Sequence, residues 1–390
     1  MKNKYQIDNN SKYLHSGIEN KKESIGIITG TSFVIPEYCI TNDELVNSYN
    51  SYVNSLSDQS IDKELSNSDF IYNASGIKQR FAHDKDGILD INRMRPHAEK
   101  RDNNMLSLQC EFALRASKDA ILKAKIDPDE IGAIIVACSN FQRSYPGIAV
   151  ELQNALNIKN AFSFDMNVGC ASAVFGISVA NSLINSGMTK KVLVVTPELY
   201  TFHLNFRDRR SHFIFGDGCS AVVVENVHEV IGRGGFLIKS SMLSSEFSNN
   251  IRNNFGFLSI AEDDLKVNPG NLFKQDGKKV RHDVVNLVAS HIKAHMNNDD
   301  LSEEGLKRLW LHQANININN SISESIYLNK KYDANCAPVT LSKYANTAAS
   351  GVIGCFNENS SDFKCGDKGI ICAFGSGYSV GSMAVEKISL

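Results

Sequence analysis

Three residues of this 390-residue chain pair a reactive side chain with a setting that presents it. Cys170 follows a stretch in which Phe162, Phe164, Met166 and Val168 alternate with Ser163, Asp165 and Asn167, the period of a strand. After it comes ASAVFGISVANSLINSG, small and apolar nearly all round, which predicts a buried helix ended by Gly187. A thiol at the first turn of such a helix faces the positive end of its dipole and is expected to ionise more easily than an ordinary cysteine. The same position offers a backbone N–H to the oxygen of a tetrahedral intermediate. His312 closes the apolar run Leu309-Trp310-Leu311, so it stands at a strand end as a candidate acid, base or donor. Asn346 lies in Tyr344-Ala345-Asn346-Thr347-Ala348-Ala349-Ser350, where an amide can project into a cavity unobstructed. Taken singly, each has a blander reading: a structural cysteine, a satisfied core histidine, a helix cap.

Two further patterns are decoys. His291 and His295 in HIKAH lie one helical turn apart, but no glutamate of the HExxH kind stands between them and no third ligand is in view. A solvated helix face is expected there, and no metal. Gly375, Gly377 and Gly381 imitate a dinucleotide loop but lead into a strand instead of a helix, so no nucleotide cofactor is expected.

The elements that must hold these residues are short β-branched runs at Ile25 to Ile28, Ile131 to Cys138, Val192 to Val195, Ala221 to Val224, Leu309 to Leu311 and Gly369 to Phe374. Helical patterns at Leu106 to Lys125 and Val280 to Met296 lie between them, which means an α/β architecture. Phe215-Gly216-Asp217-Gly218, running into Ala221 to Glu225, resembles Phe374-Gly375-Ser376-Gly377, running into Met383 to Glu386. This self-similarity predicts a duplication about residue 230, with halves at 25–230 and 231–390. Met1 to Ser24, rich in Asn, Lys and Ser, reads as a flexible arm. Lys plus Arg number 41 against 43 Asp plus Glu, a balance that argues against a nucleic-acid binder and requires any acidic partner to meet a local patch. No apolar run is long enough to span a bilayer, so a soluble cytoplasmic protein is expected. Nine cysteines without a CxxC pair argue against a disulfide framework or zinc ribbon.

Together the stretches NVGCAS, HQAN, ANTAAS and FGSGYSVGS resemble the signatures of β-ketoacyl-acyl-carrier-protein synthase III, a family of the thiolase superfamily, in order and spacing over residues 25 to 390. The resemblance implies a duplicated thiolase-like α/β fold, layered α-β-α-β-α with two mixed sheets around buried helices. It implies a Cys170, His312, Asn346 triad, an oxyanion hole from the N–H groups of Cys170 and Ser376, and a homodimer with no cofactor. It implies decarboxylating condensation of an acyl-CoA or acyl-carrier primer with malonyl-loaded acyl-carrier protein. The rival outcome on the same fold is transfer of the acyl group to an alcohol, an amine or water. SNFQRSYPGIAVE and LNFRDRRSHFIFGDG look closest to the branch that takes medium-chain primers and makes β-ketodecanoyl-type products, with Phe141 and Tyr145 as candidates for the acyl tunnel of the neighbouring subunit.

The sequence also departs from the family pattern. Phe70 and Ala74 stand where a tryptophan and an arginine usually sandwich adenine, so the guanidinium that would stack there is missing. Ile316 and Asn317 follow HQAN where an arginine often meets the carrier, and Ala345 and Ser376 replace glycines, substitutions expected to be tolerated.

Overall fold

A computed structural model describes residues 25–56, 64–256, 271–328, 332–333 and 335–390; the arm expected over 1–24 lies outside them. Nine strands form one mixed sheet: β1 (Gly26–Val34), β2 (Ala133–Ala137), β3 (Phe162–Met166), β4 (Lys191–Glu198), β5 (Gly218–Asn226), β6 (Gly234–Ser245), β7 (Leu306–Leu311), β8 (Lys368–Gly375) and β9 (Ser379–Ser389). Every run expected to be a strand contains one, though Ile131 to Cys138 is strand only over Ala133–Ala137. The long strand β6 was not legible because its apolar residues are interrupted by Lys239, Ser240 and Ser241.

The strand order is β7-β8-β9-β6-β1-β5-β4-β2-β3. From the centre outward the first half runs β1, β5, β4, β2, β3, with β1–β5 and β5–β4 antiparallel and β4–β2 and β2–β3 parallel. The second half repeats that sequence as β6, β9, β8, β7, with the same directions. Beyond β7, Leu309 N–H donates to Cys336 O at 2.8 Å, so the segment at Cys336 stands where β3 stands in the first half. The two self-similar glycine turns lead into β5 and β9, which hold equivalent places. The two mixed sheets meet edge to edge through the pairs Ile27 with Leu237 and Ile28 with Phe236, which makes their hydrogen bonding continuous.

Helices α1 (Leu108–Ala124) and α2 (Ile148–Ala155) cover the outer face of the first half. The outer face of the second half is covered by α4 (Gly277–Asn298) and α5 (Ile316–Ile326). Between the halves lie α3 (Ser172–Asn185) and α6 (Ser350–Glu358), each touching strands of both. Their small side chains, Ala173, Gly176, Ala180, Gly351 and Gly354, let two sheets close on them, and the central core takes Val174, Ile177, Val352 and Ile353 from these helices. Each such aliphatic side chain removed from water stabilises the fold by about 1.5–3 kcal/mol.

His291 and His295 correct the expectation of a solvated face. Both are buried on the side of α4 that faces the sheet, where Ser244 and Met242 O contact His291, Ser240 contacts His295, and Ser382 lies between the two rings. They share the helix face of Val284, Val288 and Ile292, and the sheet serines supply the hydrogen bonds that allow imidazoles there.

Candidate active site

Cys170 sits on the turn between β3 and α3, and His312 directly follows β7. Asn315 caps α5, its Oδ1 accepting from Asn317 N at 2.8 Å while its Nδ2 donates to Ala74 O at 2.6 Å. That cap fixes where the strand stops and the histidine is presented. Asn346 is held by its backbone between Ile214 O and Gly216 N, and its Oδ1 accepts from Ala348 N at 2.9 Å. This leaves the Nδ2 end of the amide for the cavity. Cys170, His312 and Asn346 line one cavity of about 350 Å³ walled by Phe213, Phe215, Phe273, Val280 and Phe374. The volume is in the range of small-molecule sites, and the exposed cations Arg210, Lys278 and Arg281 also line it. On the other side of Cys170 a second cavity, of about 400 Å³, is bounded by Ser139, Asn167, Tyr200, Phe247, Asn253 and Ser376.

The turn at Ser376 lies against Cys170. A Cβ built on Gly375 would be 2.8 Å from Cys170 Cβ and 3.0 Å from its N, and one on Gly169, at φ +55°, would be 2.3 Å from Ser376 Oγ. Only glycine lets these two backbones approach so closely. Ala345, buried beside Asn346, has φ 59° and ψ −161°, a region that glycine occupies freely and alanine only with strain of about 1–3 kcal/mol. The glycine of the family pattern therefore has a conformational reason, and alanine is accommodated at a cost.

Electrostatically the site departs from expectation. Burial, and after it the carboxylate of Glu198, pushes the Cys170 thiol up to about 12 instead of easing its ionisation. The helix begins only at Ser172, two residues beyond Cys170, while the Glu198 carboxylate opposes a second negative charge at the thiol. Burial drives His312 down to about 3, so its ring is neutral; Nδ1 has no partner among the described residues.

Phe141 and Tyr145 do not line the two cavities described above that contain Cys170. Phe141 borders a separate groove with His83, His97 and Phe202, and Tyr145 is 85% exposed. The cation missing beside Phe70 is supplied from elsewhere in the chain: the Arg209 guanidinium lies 4.1 Å from the Phe70 ring centroid. No local pattern announces this pairing, since 139 positions separate the two. Ser139 and Glu198, behind Cys170, also went unmarked; the one available signal was a carboxylate closing a strand whose centre, Val192 to Val195, is wholly apolar.

Residues 164–244 match the family described as 3-oxoacyl-[acyl-carrier-protein (ACP)] synthase III, and residues 296–387 match its C-terminal part. A β-ketodecanoyl-[acyl-carrier-protein] synthase of Pseudomonas aeruginosa is 44% identical over 349 residues, which cover 87% of this chain and 99% of that protein. A β-ketoacyl-[acyl-carrier-protein] synthase III of Azobacteroides pseudotrichonymphae is 28% identical, over 91% of this chain and 95% of its own. Among solved structures, a 3-oxoacyl-(acyl carrier protein) synthase III of Pseudomonas aeruginosa superposes with a TM-score of 0.74 over 94% of this chain and 99% of that one, a likeness of fold at 19% identity.

Proposed function

The chain belongs to the 3-oxoacyl-[acyl-carrier-protein] synthase III family, and on that premise we propose how its side chains carry out the condensation. It is an acyltransferase that joins an acyl thioester to a malonyl thioester by decarboxylating Claisen condensation. The convergence of Cys170, His312 and Asn346 on one cavity carries the assignment of roles.

Cys170 Sγ attacks the primer thioester, and the N–H groups of Cys170 and Ser376 receive the oxyanion while the first carrier leaves. Malonyl-loaded acyl-carrier protein then extends its thioester into the cavity. His312, neutral because it is buried, donates from Nε2, and Asn346 donates from Nδ2 to the same carbonyl oxygen. Loss of carbon dioxide leaves an enolate held by these two donors. Its carbon attacks the acyl-cysteine, forming the new carbon–carbon bond and releasing Cys170.

Arg210, Lys278 and Arg281 are the local patch that a near-neutral chain needs to receive an acidic carrier, in place of the arginine absent after HQAN. The primer is a medium-chain acyl group, a reading supported by likeness to the β-ketodecanoyl synthase. The enzyme works in the cytoplasm as a homodimer. The exposure of Tyr145 suits a side chain that reaches a neighbouring subunit, as the resemblance implies for Tyr145 and Phe141. Residues 25–230 and 231–390 are the duplicated units.

Intact-protein mass spectrometry with graded acyl-CoA and acyl-carrier donors tests the roles. Cys170→Ala is expected to take no acyl group. His312→Ala and Asn346→Ala are expected to load normally but to discharge onto malonyl-carrier about 10²-fold more slowly or worse. If wild-type protein formed no Cys170 adduct with any donor, the reading would be wrong; an adduct that malonyl-carrier could not discharge would favour acyl transfer to another acceptor.

A further inference from the structure

We propose that Asn140, with the His203–Asn253 pair beside it, is the stop that sets the length of the primer, and that the groove bordered by Phe141 is the room an acyl chain gains when the stop is removed; the proposal rests on the condensing reading above. Cys170 stands between two cavities. The one lined by Arg210, Lys278 and Arg281 receives the carrier, so the acyl chain extends past the sulfur into the other. That second cavity, of about 400 Å³, and the groove, of about 450 Å³, share one lining residue, Asn140, just past the end of β2.

The partition beside Asn140 is thin. In the segment after β4, Tyr200 lines the cavity while its neighbours Leu199, Phe202 and His203 line the groove. Asn253, on the cavity side, donates from Nδ2 to His203 Nδ1 at 3.2 Å, so this hydrogen bond crosses from one space to the other. These members differ in how firmly they are held. Tyr200 is buried and stacks on Phe215 with ring centroids 4.0 Å apart. Asn253 is tied at both ends of its amide, because Oδ1 accepts from Phe255 N at 3.1 Å. The Nδ2 of Asn140 is buried with no hydrogen-bond partner among the described residues.

A buried amide nitrogen that makes no hydrogen bond costs stability, so what this end of Asn140 contributes is the space it occupies. It occupies the one place where cavity and groove adjoin through a single side chain. Behind it the groove offers a hydrocarbon tail the half-buried side chains of Leu108, Phe141, Leu199 and Phe202, although Asp84, Lys85 and Glu99 also border it. A primer whose end reaches Asn140 fits the cavity; one with further methylenes meets the amide and the hydrogen-bonded pair.

The test measures single-turnover acylation of full-length protein by a graded series of straight-chain acyl-CoAs, for wild type, Asn140→Ala, Asn140→Leu and His203→Ala. Asn140→Ala is expected to load chains about two methylenes past the wild-type limit about tenfold faster than wild type does, since each buried methylene is worth about fourfold. Its rate with the preferred wild-type primer should be little changed. Leucine has the reach of asparagine without its polarity, so Asn140→Leu should keep the wild-type limit. His203→Ala should move the limit the same way as Asn140→Ala; if it does not fold, Asn140→Ala, which gives up no hydrogen bond at Nδ2, decides alone. A past-limit acyl chain ending in a diazirine supplies a second readout, and in Asn140→Ala it should cross-link to Leu108, Phe141 or Phe202. An Asn140→Ala protein with the wild-type length profile, a profile shifted equally by Asn140→Leu, or cross-links in Asn140→Ala confined to Phe247 and Phe255 overturns the proposal. So does a limit that moves with Tyr145→Ala and not with Asn140→Ala, which would put the stop on the neighbouring subunit. Failure of wild type to load any chain would instead remove the condensing reading.

Discussion

Gly375→Ala is a severe test of how Cys170, the proposed nucleophile, and the glycine turn are assembled. The added methyl would stand 2.8 Å from Cys170 Cβ, 3.0 Å from its N and 3.3 Å from its Cα. Carbon–carbon contacts settle at about 3.5–4.0 Å, so one of the two backbones must retreat by about 0.7 Å. The obstacle is main chain, which no side-chain rotation relieves. The retreat moves the adjoining Ser376 N–H off the oxygen it is proposed to hold, and loss of one such donor costs about 10²–10³ in rate. Overpacking of this kind costs about 1–3 kcal/mol in stability, which a large core tolerates. The expected result is a folded protein whose single-turnover acylation is about 10²-fold slower, with iodoacetamide still reaching Cys170. Rapid-quench mass spectrometry reads the rate and thermal melting reads the fold. Acylation within about threefold of wild type, with an unchanged melting temperature, would refute the close approach on which the oxyanion assignment depends.

Reversing Lys278 and Arg281 to glutamate should raise KM for malonyl-acyl-carrier protein about tenfold at low salt, leave turnover with a malonyl thioester of a small thiol nearly unchanged, and flatten the dependence on ionic strength; steady-state kinetics at two salt concentrations would show equal effects on both acceptors if the patch does not meet the carrier. His212 is buried with neither ring nitrogen hydrogen-bonded among the described residues, and burial, with Arg80 and Arg209, pushes it down to about 3 from 6.5. The unfolded chain therefore takes up its proton first as pH falls, so this contribution to stability is lost progressively below about pH 6.5. His212→Phe should recover about 2 kcal/mol of the acid loss at pH 5 relative to pH 7, and melting curves that stay parallel for both proteins across that range would contradict it.

Strand alternation up to Val168 and the small apolar run after Cys170 placed that cysteine at a strand-to-helix junction, because periodicity and side-chain size act within a few residues of chain. The same local logic put His312 at a strand end, and the repeated glycine turns pointed to the duplication that the strand order displays. What lay beyond reach depends on groups distant in sequence. Cys170 resists ionisation because the fold buries it beside Glu198. The histidines of HIKAH are internal because β6 and β9 bring serines to them, and Phe70 meets a guanidinium carried by another loop. A sequence states which side chains are able to ionise, stack or donate. Their state is decided by the dielectric and the partners that surround them, and tertiary packing alone supplies both.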